Sequence, residues 1–379
     1  MSVELSAVLL NKLKEQFGEA FYILDSEQFR INYNELKNAF SSIYSNFNIA
    51  YSYKTNYIPK LCKIVNEMGG YAEVVSEMEL ELALRLGVQP KNIIWNGPIK
   101  NEKTVEIFLT KGGIVNIDSL EEIRLLRTLT KKYPDCLFRL GIRCNYDVND
   151  NVISRFGFDI CSSDFNEALS FVTGTPNVKF SNLHCHFAKR QIKYWKARVK
   201  GMIDLIDRVN IIPERVDLGG GLFGKMPDSL KVQLGSYIPS YTDYANIVAA
   251  AFQERFGNNG PELIIEPGSA LVGDCMKFVS IVKSIKCVRG KYIASISGSQ
   301  KNISMNGINP PIEIYPSGNT QKYYNEIDLA GYTCIESDVI YRNYTGKLAI
   351  GDYIVIGNCG SYSLVMKPPF ILPNFPVIE

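Results

Sequence analysis

The sequence predicts an α/β protein in which a (β/α)8 barrel is followed by a β-rich domain. The chain has 379 residues, which exceeds the length of one ordinary domain. Up to residue 268 it alternates short apolar runs with longer amphipathic stretches. After that point, β-branched and aromatic runs broken by Gly, Pro and Asn take over. These observations favour a barrel joined to a separate sheet.

Eight strand-like runs precede residue 269, and amphipathic stretches such as Glu77 to Leu86 and Ser119 to Lys131 lie between them. Eight βα repeats are the signature of a (β/α)8 barrel, whereas a doubly wound sheet more often has about five or six strands. We therefore predict a barrel over residues 20–268, opened by the run Phe21 to Asp25. Its eight strands are expected at Asn48 to Lys54, Tyr71 to Ser76, Ile93 to Gly97, Ile114 to Asp118, Leu137 to Ile142, Asn182 to Phe187, Arg215 to Gly221 and Glu262 to Gly268.

The remaining part of the chain predicts a mostly antiparallel β domain. The runs FVSIVKSIKCV, KYIASISG, PPIEIYP and DYIVIG are rich in β-branched and aromatic residues, and no long helical pattern interrupts them. Residues 269–379 are assigned to this domain together with residues 1–19, which could form a helix or a strand.

Composition limits the classes of function. A formal net charge of +2 creates no field that would attract nucleic acid or an anionic membrane. No apolar stretch approaches the roughly 18 residues needed to span a bilayer. The nine Cys include no CxxC pair, which argues against a disulfide framework and a zinc module. We expect a cytoplasmic protein that binds a small molecule or another copy of itself.

Four predicted strands end in residues that could carry chemistry. Lys54 ends the first strand, where desolvation would make its amine a nucleophile, although it could also reach out to water. Three consecutive glycines, Gly219 to Gly221, follow the seventh strand and could bind an anion through backbone N–H groups. Glu266 ends the eighth strand, where it could hold a cationic group or make only a loop contact.

The two histidines of the chain, His184 and His186, lie on the sixth predicted strand. Residues two apart on a strand face the same side, so both could enter the barrel. A zinc site, as in barrel hydrolases, would need a third and usually a fourth ligand, preferably further histidines. Because the chain has no other His, we predict no metal; a histidine packed in the core is the alternative, more so for His184.

Taken together, these motifs make the sequence resemble the fold-type III pyridoxal-phosphate decarboxylases, the family of diaminopimelate and ornithine decarboxylases. It looks most similar to the diaminopimelate branch. The resemblance covers nearly the whole chain and implies a pyridoxal-phosphate-binding barrel with an alanine racemase-like C-terminal β domain. The motifs occur in family order: YSYKTN, AEVVSEMEL, VNIDSLEEI, RFGFD, LHCHF, VDLGGG, IIEPG, TCIESD and CGSY.

The resemblance implies a role for each matching residue. Lys54 would be the Schiff-base lysine, His186 would stack on the cofactor ring, and Glu266 would pair with the pyridinium nitrogen. The phosphate would lie at Gly219, Gly220 and Gly221, with Gly268 and Tyr362 nearby. In TCIESD, Cys334 matches the cysteine that enters the site from the partner subunit and helps protonate the carbanion, which implies a homodimer with shared active sites. Glu336 and Asp338 are expected to contact the amino-acid substrate.

The sequence departs from the family around the phosphate. Ala188 and Lys189 stand where the family usually has Gly and Ser, and Ser269 stands where Arg commonly follows EPG. Lys189 or Arg190 could supply the lost positive charge. If Lys189→Ala and Arg190→Ala proteins kept wild-type cofactor affinity, this compensation would be excluded.

The sequence differs more strongly from the diaminopimelate decarboxylases at the residues expected to contact the substrate. Ile335 replaces the acidic residue that follows the cysteine in diaminopimelate enzymes, and Pro310 stands in NPPIEIYP where they have Arg. We therefore predict decarboxylation of an amino acid or amine-bearing acid other than standard meso-diaminopimelate. The alternatives are a racemase or epimerase on the same fold, against which Glu266 argues, since such racemases use Arg there, and a non-catalytic regulatory relative.

Overall fold

A computed structural model describes residues 4–235, 237–305, 307–367 and 369–379, and these divide into two compact units. The barrel unit comprises Asn32–Phe223 and Pro239–Ala270. The sheet unit comprises the chain up to Ile31, the segment Gly224–Ile238 and the stretch Leu271–Glu379.

The N-terminal strand Phe21–Leu24 belongs to the sheet unit, whereas the sequence-based boundary at residue 20 assigned it to the barrel. It pairs antiparallel with Met276–Val288 and parallel with Val377–Ile378. A run of four apolar residues is typical of a strand in either unit, and its antiparallel partners lie more than 250 residues away in the chain. Local pattern therefore could not assign it.

The barrel contains all eight predicted strands. They pair in parallel in chain order, and the last strand pairs with the first, so the sheet closes on itself. A two-residue strand, Phe158–Asp159, adds to the end of the fifth. The eight strands are Phe47–Ser52, Tyr71–Val74, Ile93–Trp95, Ile114–Ile117, Phe138–Asn145, Val178–His184, Arg215–Asp217 and Glu262–Ile265.

Helices alternate with these strands. Several begin at a serine whose hydroxyl accepts a backbone N–H of the first turn, as Ser76, Ser162 and Ser240 do. Within the described residues, no helix combines the length and apolar character needed to cross a bilayer. The helices are Ser26–Ser41, Pro59–Glu67, Glu77–Arg85, Glu102–Thr110, Leu120–Lys132, Ser163–Gly174, Ile192–Val209, Tyr241–Phe256 and the short Ser269–Val272.

Small and branched apolar side chains fill part of the barrel core. Ala50, Ile94, Ile114 and Ile264 come from four different strands and form one fully buried cluster. Strands covered on both faces read as continuous apolar runs, which is why the sequence showed them as such. Polar side chains concentrate instead at the carboxyl ends of the strands, where barrels carry their active sites.

The sheet unit is mostly antiparallel, as the sequence predicted. Its core includes Leu10 of the helix Ala7–Phe17 together with Phe21, Val279 and Tyr353. A further helix, Asp228–Leu234, lies in this unit. In spatial order, the six main strands are Ile312–Tyr315, Tyr353–Ile356, Met276–Val288, Lys291–Ile296, Lys322–Ala330 and Val339–Leu348.

Candidate active site

Lys54 lies in a short 3-10 turn directly after the first barrel strand. Its Nζ atom is 2.5 Å from Oε2 of Glu73, which stands on the second strand. The Lys54 side chain is 29% exposed, whereas that of Glu73 is completely buried. The amine is therefore held at the barrel mouth by a buried carboxylate and does not extend freely into water.

Glu266 follows the eighth strand and is buried among polar groups. Its Oε1 lies 3.2 Å from Nε2 of His184 and accepts a hydrogen bond from the Asn96 amide, while its Oε2 lies 3.6 Å from Nδ1 of His186. Burial alone would raise the pKa of Glu266, but His184, followed by His186 and Lys54, holds that pKa well below its usual range. Glu266 is thus an anion at neutral pH.

His186 presents a neutral ring. Burial lowers its pKa to about 4, although the neighbouring Glu266 opposes this shift. Its Nδ1 accepts the backbone N–H of Gly220 at 3.0 Å, which fixes the ring against the glycine loop. The side chain remains 30% exposed, so the ring is not sealed inside the barrel.

A second carboxylate, Asp217, lies next to Glu266. Burial and the charge of Glu266 raise the pKa of Asp217 well above its usual range. His184, Asp217 and Glu266 all present ligand atoms within 4.8 Å of one another, whereas the HxH hypothesis had paired His184 with His186 and included neither carboxylate. A proton on Asp217 accounts for the closeness of the two carboxylates.

The glycines after the seventh strand are required by their surroundings. Gly219 and Gly221 have φ values of 70° and 88°, in the left-handed region that favours glycine. A Cβ on Gly220 would lie 2.5 Å from the backbone oxygen of Glu266. Gly268, after the eighth strand, is also required to be glycine, because a Cβ there would lie 2.0 Å from Oγ1 of Thr55.

The glycine loop leaves backbone donors free. The N–H of Gly219 bonds to Asp217 and that of Gly220 to His186. In the described part of the chain, the N–H groups of Gly221 and Leu222 have no acceptor, although Leu222 is buried. Buried N–H groups are nearly always satisfied, so the N–H of the buried Leu222, next to that of the half-buried Gly221, points to an anionic ligand.

Sequence reasoning missed several residues of this site. Asn182 donates to Asn116, Asn116 donates to Asn96, and Asn96 donates to Glu266, so a chain of amides crosses the barrel to the carboxylate. Asn116 lies inside the apolar run IVNID, Asn96 follows the apolar residues of IIWNG, and Asn182 begins NLHCHF. A polar residue within a buried strand was the available signal.

Lys189 and Arg190 follow the sixth strand. Lys189 is exposed, and Arg190 is half-buried with its guanidinium carbon 5.6 Å from the ring centroid of Phe223. The backbone carbonyl of Arg190 accepts a hydrogen bond from Tyr244 at 2.6 Å. Ser269 begins the short helix after Gly268.

The other predicted site residues lie in the sheet unit. Cys334 is exposed. Glu336 is exposed in the turn that follows it. Asp338 is buried, and its carboxylate accepts hydrogen bonds from Ser299, Gln300 and Thr333 within the same unit. Tyr362 has a φ of 61°, which is uncommon for a residue other than glycine.

The barrel unit thus brings together Lys54, His186, Gly219 to Gly221, Glu266 and Gly268. An amine beside a carboxylate, a flat neutral imidazole, a buried anion and free N–H groups fit the aldehyde, ring, pyridine nitrogen and phosphate of pyridoxal phosphate. The fold and site define the class: a (β/α)8-barrel protein equipped for this cofactor.

Comparison with known proteins identifies the family. Residues 27–273 match the family model of the pyridoxal-dependent decarboxylases, pyridoxal binding domain. The chain belongs to this family of carboxy-lyases, and its cofactor is pyridoxal phosphate.

Diaminopimelate decarboxylases are among its relatives. The enzyme of Methanocaldococcus jannaschii is 27% identical over 382 residues, covering 94% of this chain and 84% of the relative. A crystal structure of diaminopimelate decarboxylase from M. jannaschii superimposes with a TM-score of 0.85 at 25% identity, over 96% of this chain and 87% of that one. The arginine decarboxylase of Paramecium bursaria Chlorella virus shares the fold, with a TM-score of 0.78 at 20% identity over 99% and 100% of the two chains.

Proposed function

We propose that this enzyme decarboxylates an amino acid or amine-bearing acid whose distal end differs from that of meso-diaminopimelate. The observation that carries this proposal is the convergence of Lys54, His186 and Glu266 at one barrel mouth. When bound, pyridoxal phosphate supplies an electron sink for the pair left by a departing carboxylate. The protein supplies binding, orientation and charge.

In this proposal each barrel residue has one task. Lys54 provides the amine that binds the cofactor covalently, and the Glu73 carboxylate 2.5 Å away orients that amine. Glu266, held as an anion, keeps a proton on the pyridine nitrogen. The neutral ring of His186 offers a flat stacking surface.

The substrate proposal rests on the sheet unit. Ile335 directly follows Cys334 and is exposed, so the position that is acidic in the diaminopimelate branch here presents an apolar side chain. Pro310 cannot replace an arginine as a donor to a distal carboxylate. Glu336 remains the proposed substrate contact. Asp338, whose carboxylate is bonded to Ser299, Gln300 and Thr333, is proposed to act by holding the Cys334 loop in shape.

We further propose a homodimer with shared active sites, located in the cytoplasm. The exposure of Cys334 leaves its thiol available to a second subunit. All nine cysteines are free thiols, which supports a reducing compartment. Tyr362, whose strained backbone is typical of functional positions, is proposed to lie near the cofactor phosphate.

Borohydride reduction tests the cofactor site. The purified protein is reduced and digested, and peptide mapping is expected to find a pyridoxyl group on Lys54. Lys63, an exposed lysine of the next helix, serves as the control and should stay unmodified. An unmodified Lys54 after addition of pyridoxal phosphate would contradict the assignment and leave the non-catalytic alternative.

Substrate choice is tested by release of carbon dioxide from a panel of amino acids. We expect meso-diaminopimelate to be a poor substrate, so turnover at an efficiency equal to the best member of the panel would refute the substrate proposal. Chiral analysis of recovered substrate distinguishes the racemase alternative, which would invert the Cα centre without releasing carbon dioxide.

Shared active sites are tested by mixing two inactive proteins, Lys54→Ala and Cys334→Ala. If Cys334 acts on the neighbouring subunit's cofactor, mixed dimers regain one intact site, and about a quarter of wild-type activity is expected after full exchange. Subunit exchange without any recovered activity would contradict the proposal.

A further inference from the structure

Arg198 is a buried cation that touches no carboxylate among the described residues; Glu266 acts on its charge only from a distance. It lies on the helix Ile192–Val209 and has no exposed surface. In the described part of the chain, its guanidinium makes no ion pair; it donates to the backbone carbonyls of Leu218 at 3.0 Å, Gly220 at 2.6 Å and Phe187 at 2.6 Å. Arginine is almost never fully buried unless it is paired with an anion, so this arrangement requires an explanation.

The three carbonyls belong to the loops that follow the sixth and seventh barrel strands. Gly220 is the centre of the glycine loop, and Leu218 precedes that loop. The carbonyl oxygens of Leu218 and Gly220 accept hydrogen bonds from Arg198, which fixes the conformation of the loop. In this conformation the N–H groups of Gly221 and Leu222 have no acceptor within the described residues. A buried positive charge on one side of a loop and free N–H donors in the same loop together form an anion-binding site.

Trp195 fixes this arrangement from the same helix. Its ring centroid lies 4.0 Å from the guanidinium carbon of Arg198, and its Nε1 donates to the carbonyl of Gly221 at 3.0 Å. The guanidinium is therefore held by stacking on one face and by carbonyls at its edge. Its charge has one fixed position beneath the glycine loop.

We propose that Arg198 is the positioning residue that gives the glycine loop its preference for a phosphate group. It shapes the loop through three carbonyls, and its charge, which no carboxylate contacts in the described part of the chain, attracts the phosphate dianion. The inference rests on the proposed placement of the cofactor phosphate at Gly219 to Gly221. With Arg198 in this role, the chain can select phosphate although Lys189 and Ser269 replace the Ser and Arg that the family usually has. The half-exposed Arg190 is then not needed for phosphate selection.

The test compares pyridoxal phosphate with pyridoxal, which lacks the phosphate. Affinities of both ligands for cofactor-free protein are measured for the wild type, Arg198→Gln, Arg198→Lys and Arg190→Ala. The wild type is expected to prefer the phosphorylated ligand strongly. Arg198→Gln keeps donors for the carbonyls and removes the charge, so this preference should fall by about tenfold or more. Arg198→Lys should restore most of it, and Arg190→Ala should leave it unchanged.

A purely structural role predicts a different pattern. If Arg198 only supported the fold, Arg198→Gln would weaken both ligands by the same factor, and the preference would stay at its wild-type value. That result would overturn the proposal, as would loss of the preference in Arg190→Ala alone. Failure of the wild type to bind pyridoxal phosphate would contradict the proposed site itself, so the two failures are distinguishable.

A second measurement decides the matter if Arg198→Gln does not fold. The chain has two tryptophans, so Trp95→Phe leaves Trp195 as the only one, stacked on Arg198 and bonded to the glycine loop. Titration of this cofactor-free protein with inorganic phosphate should change Trp195 emission, and added pyridoxal phosphate should suppress the change. An emission unaffected by phosphate would overturn the proposal.

Discussion

The two halves of the barrel site balance their charges in different ways. On the acidic half, Glu73 contacts the ammonium of Lys54, and Glu266 is surrounded by His184, His186 and Asn96. On the basic half, the guanidinium of Arg198 stacks on Trp195 and, within the described residues, donates to backbone carbonyls without touching a carboxylate. The acidic half therefore matches its charges with side chains, whereas the basic half matches its charge with backbone dipoles.

This difference predicts how substitutions in each half will affect the protein. A buried charge whose partners are side chains of the same protein is compensated before any ligand binds. A buried charge matched only by dipoles depends on a ligand for full compensation, so binding and stability are linked there. Variants on the acidic half should mainly change chemistry, and those on the basic half should mainly change cofactor binding.

The largest effect is expected for Glu266→Gln. If Glu266 pairs with the pyridine nitrogen as proposed, an amide at this position could not keep that nitrogen protonated, and kcat should fall by about 10²- to 10³-fold. Cofactor binding should change far less, because Lys54 and the glycine loop are untouched. Steady-state kinetics and a cofactor titration measure the two quantities.

Glu262→Gln is the matched control for this variant. Glu262 lies on the same strand at its amino end, where it bonds to Arg215 at 3.0 Å. We expect its kcat to match that of the wild type. An equal loss of kcat in both proteins would show that the loss in Glu266→Gln does not come from removing the negative charge of Glu266 at the barrel mouth.

On the basic half, Gly220→Ala should weaken cofactor binding. Its Cβ would lie 2.5 Å from the backbone oxygen of Glu266, so the loop must shift, and overpacking of this kind costs about 1–3 kcal/mol. The dissociation constant of pyridoxal phosphate is expected to rise, as measured by titration of cofactor-free protein.

Gly174→Ala provides the comparison, since nothing lies within 4 Å of a Cβ at that position and its φ is not in the left-handed region. Its cofactor affinity should equal that of the wild type. If Gly220→Ala also bound the cofactor normally, the loop would be more adaptable than the contact predicts.

The last effect concerns stability and pH at Glu79, on the helix Glu77–Arg85 that follows the second barrel strand, and it leaves the chemistry of the site unchanged. Burial raises the pKa of Glu79 from 4.5 to about 7, although the Val75 N–H opposes the shift. Between these two pH values the folded state holds a proton that the unfolded state has lost, so stability falls as pH rises. Over this window the loss is at most about 3 kcal/mol. Glu79→Gln should remove it, because an amide does not titrate.

Urea denaturation at pH 4.5 and 7.5 measures this difference. The wild type should lose more stability than Glu79→Gln between the two pH values, while the exposed Glu81→Gln should behave like the wild type. Identical pH dependence in the wild type and Glu79→Gln would show that Glu79 does not hold its proton.

Sequence reasoning located the barrel because its signals are local. Each strand is an apolar run, and residues such as Lys54 and Glu266 follow such runs directly, so their place at the carboxyl end could be derived. Glu73 and Arg198 could not be found in this way. Glu73 looked like one charge in a strand, and Arg198 looked like one of many basic residues on an amphipathic helix.

The sequence by itself determined the repeat of eight strands, the glycine loop and the residues that end the strands, because periodicity and backbone requirements act between near neighbours. Only the tertiary structure decided which charges are compensated. Arg198 reaches the carbonyl of Gly220 across 22 positions, and Asn96 reaches Glu266 across 170. The energy of a buried charge depends on every group around it, and those groups come together only when the barrel closes.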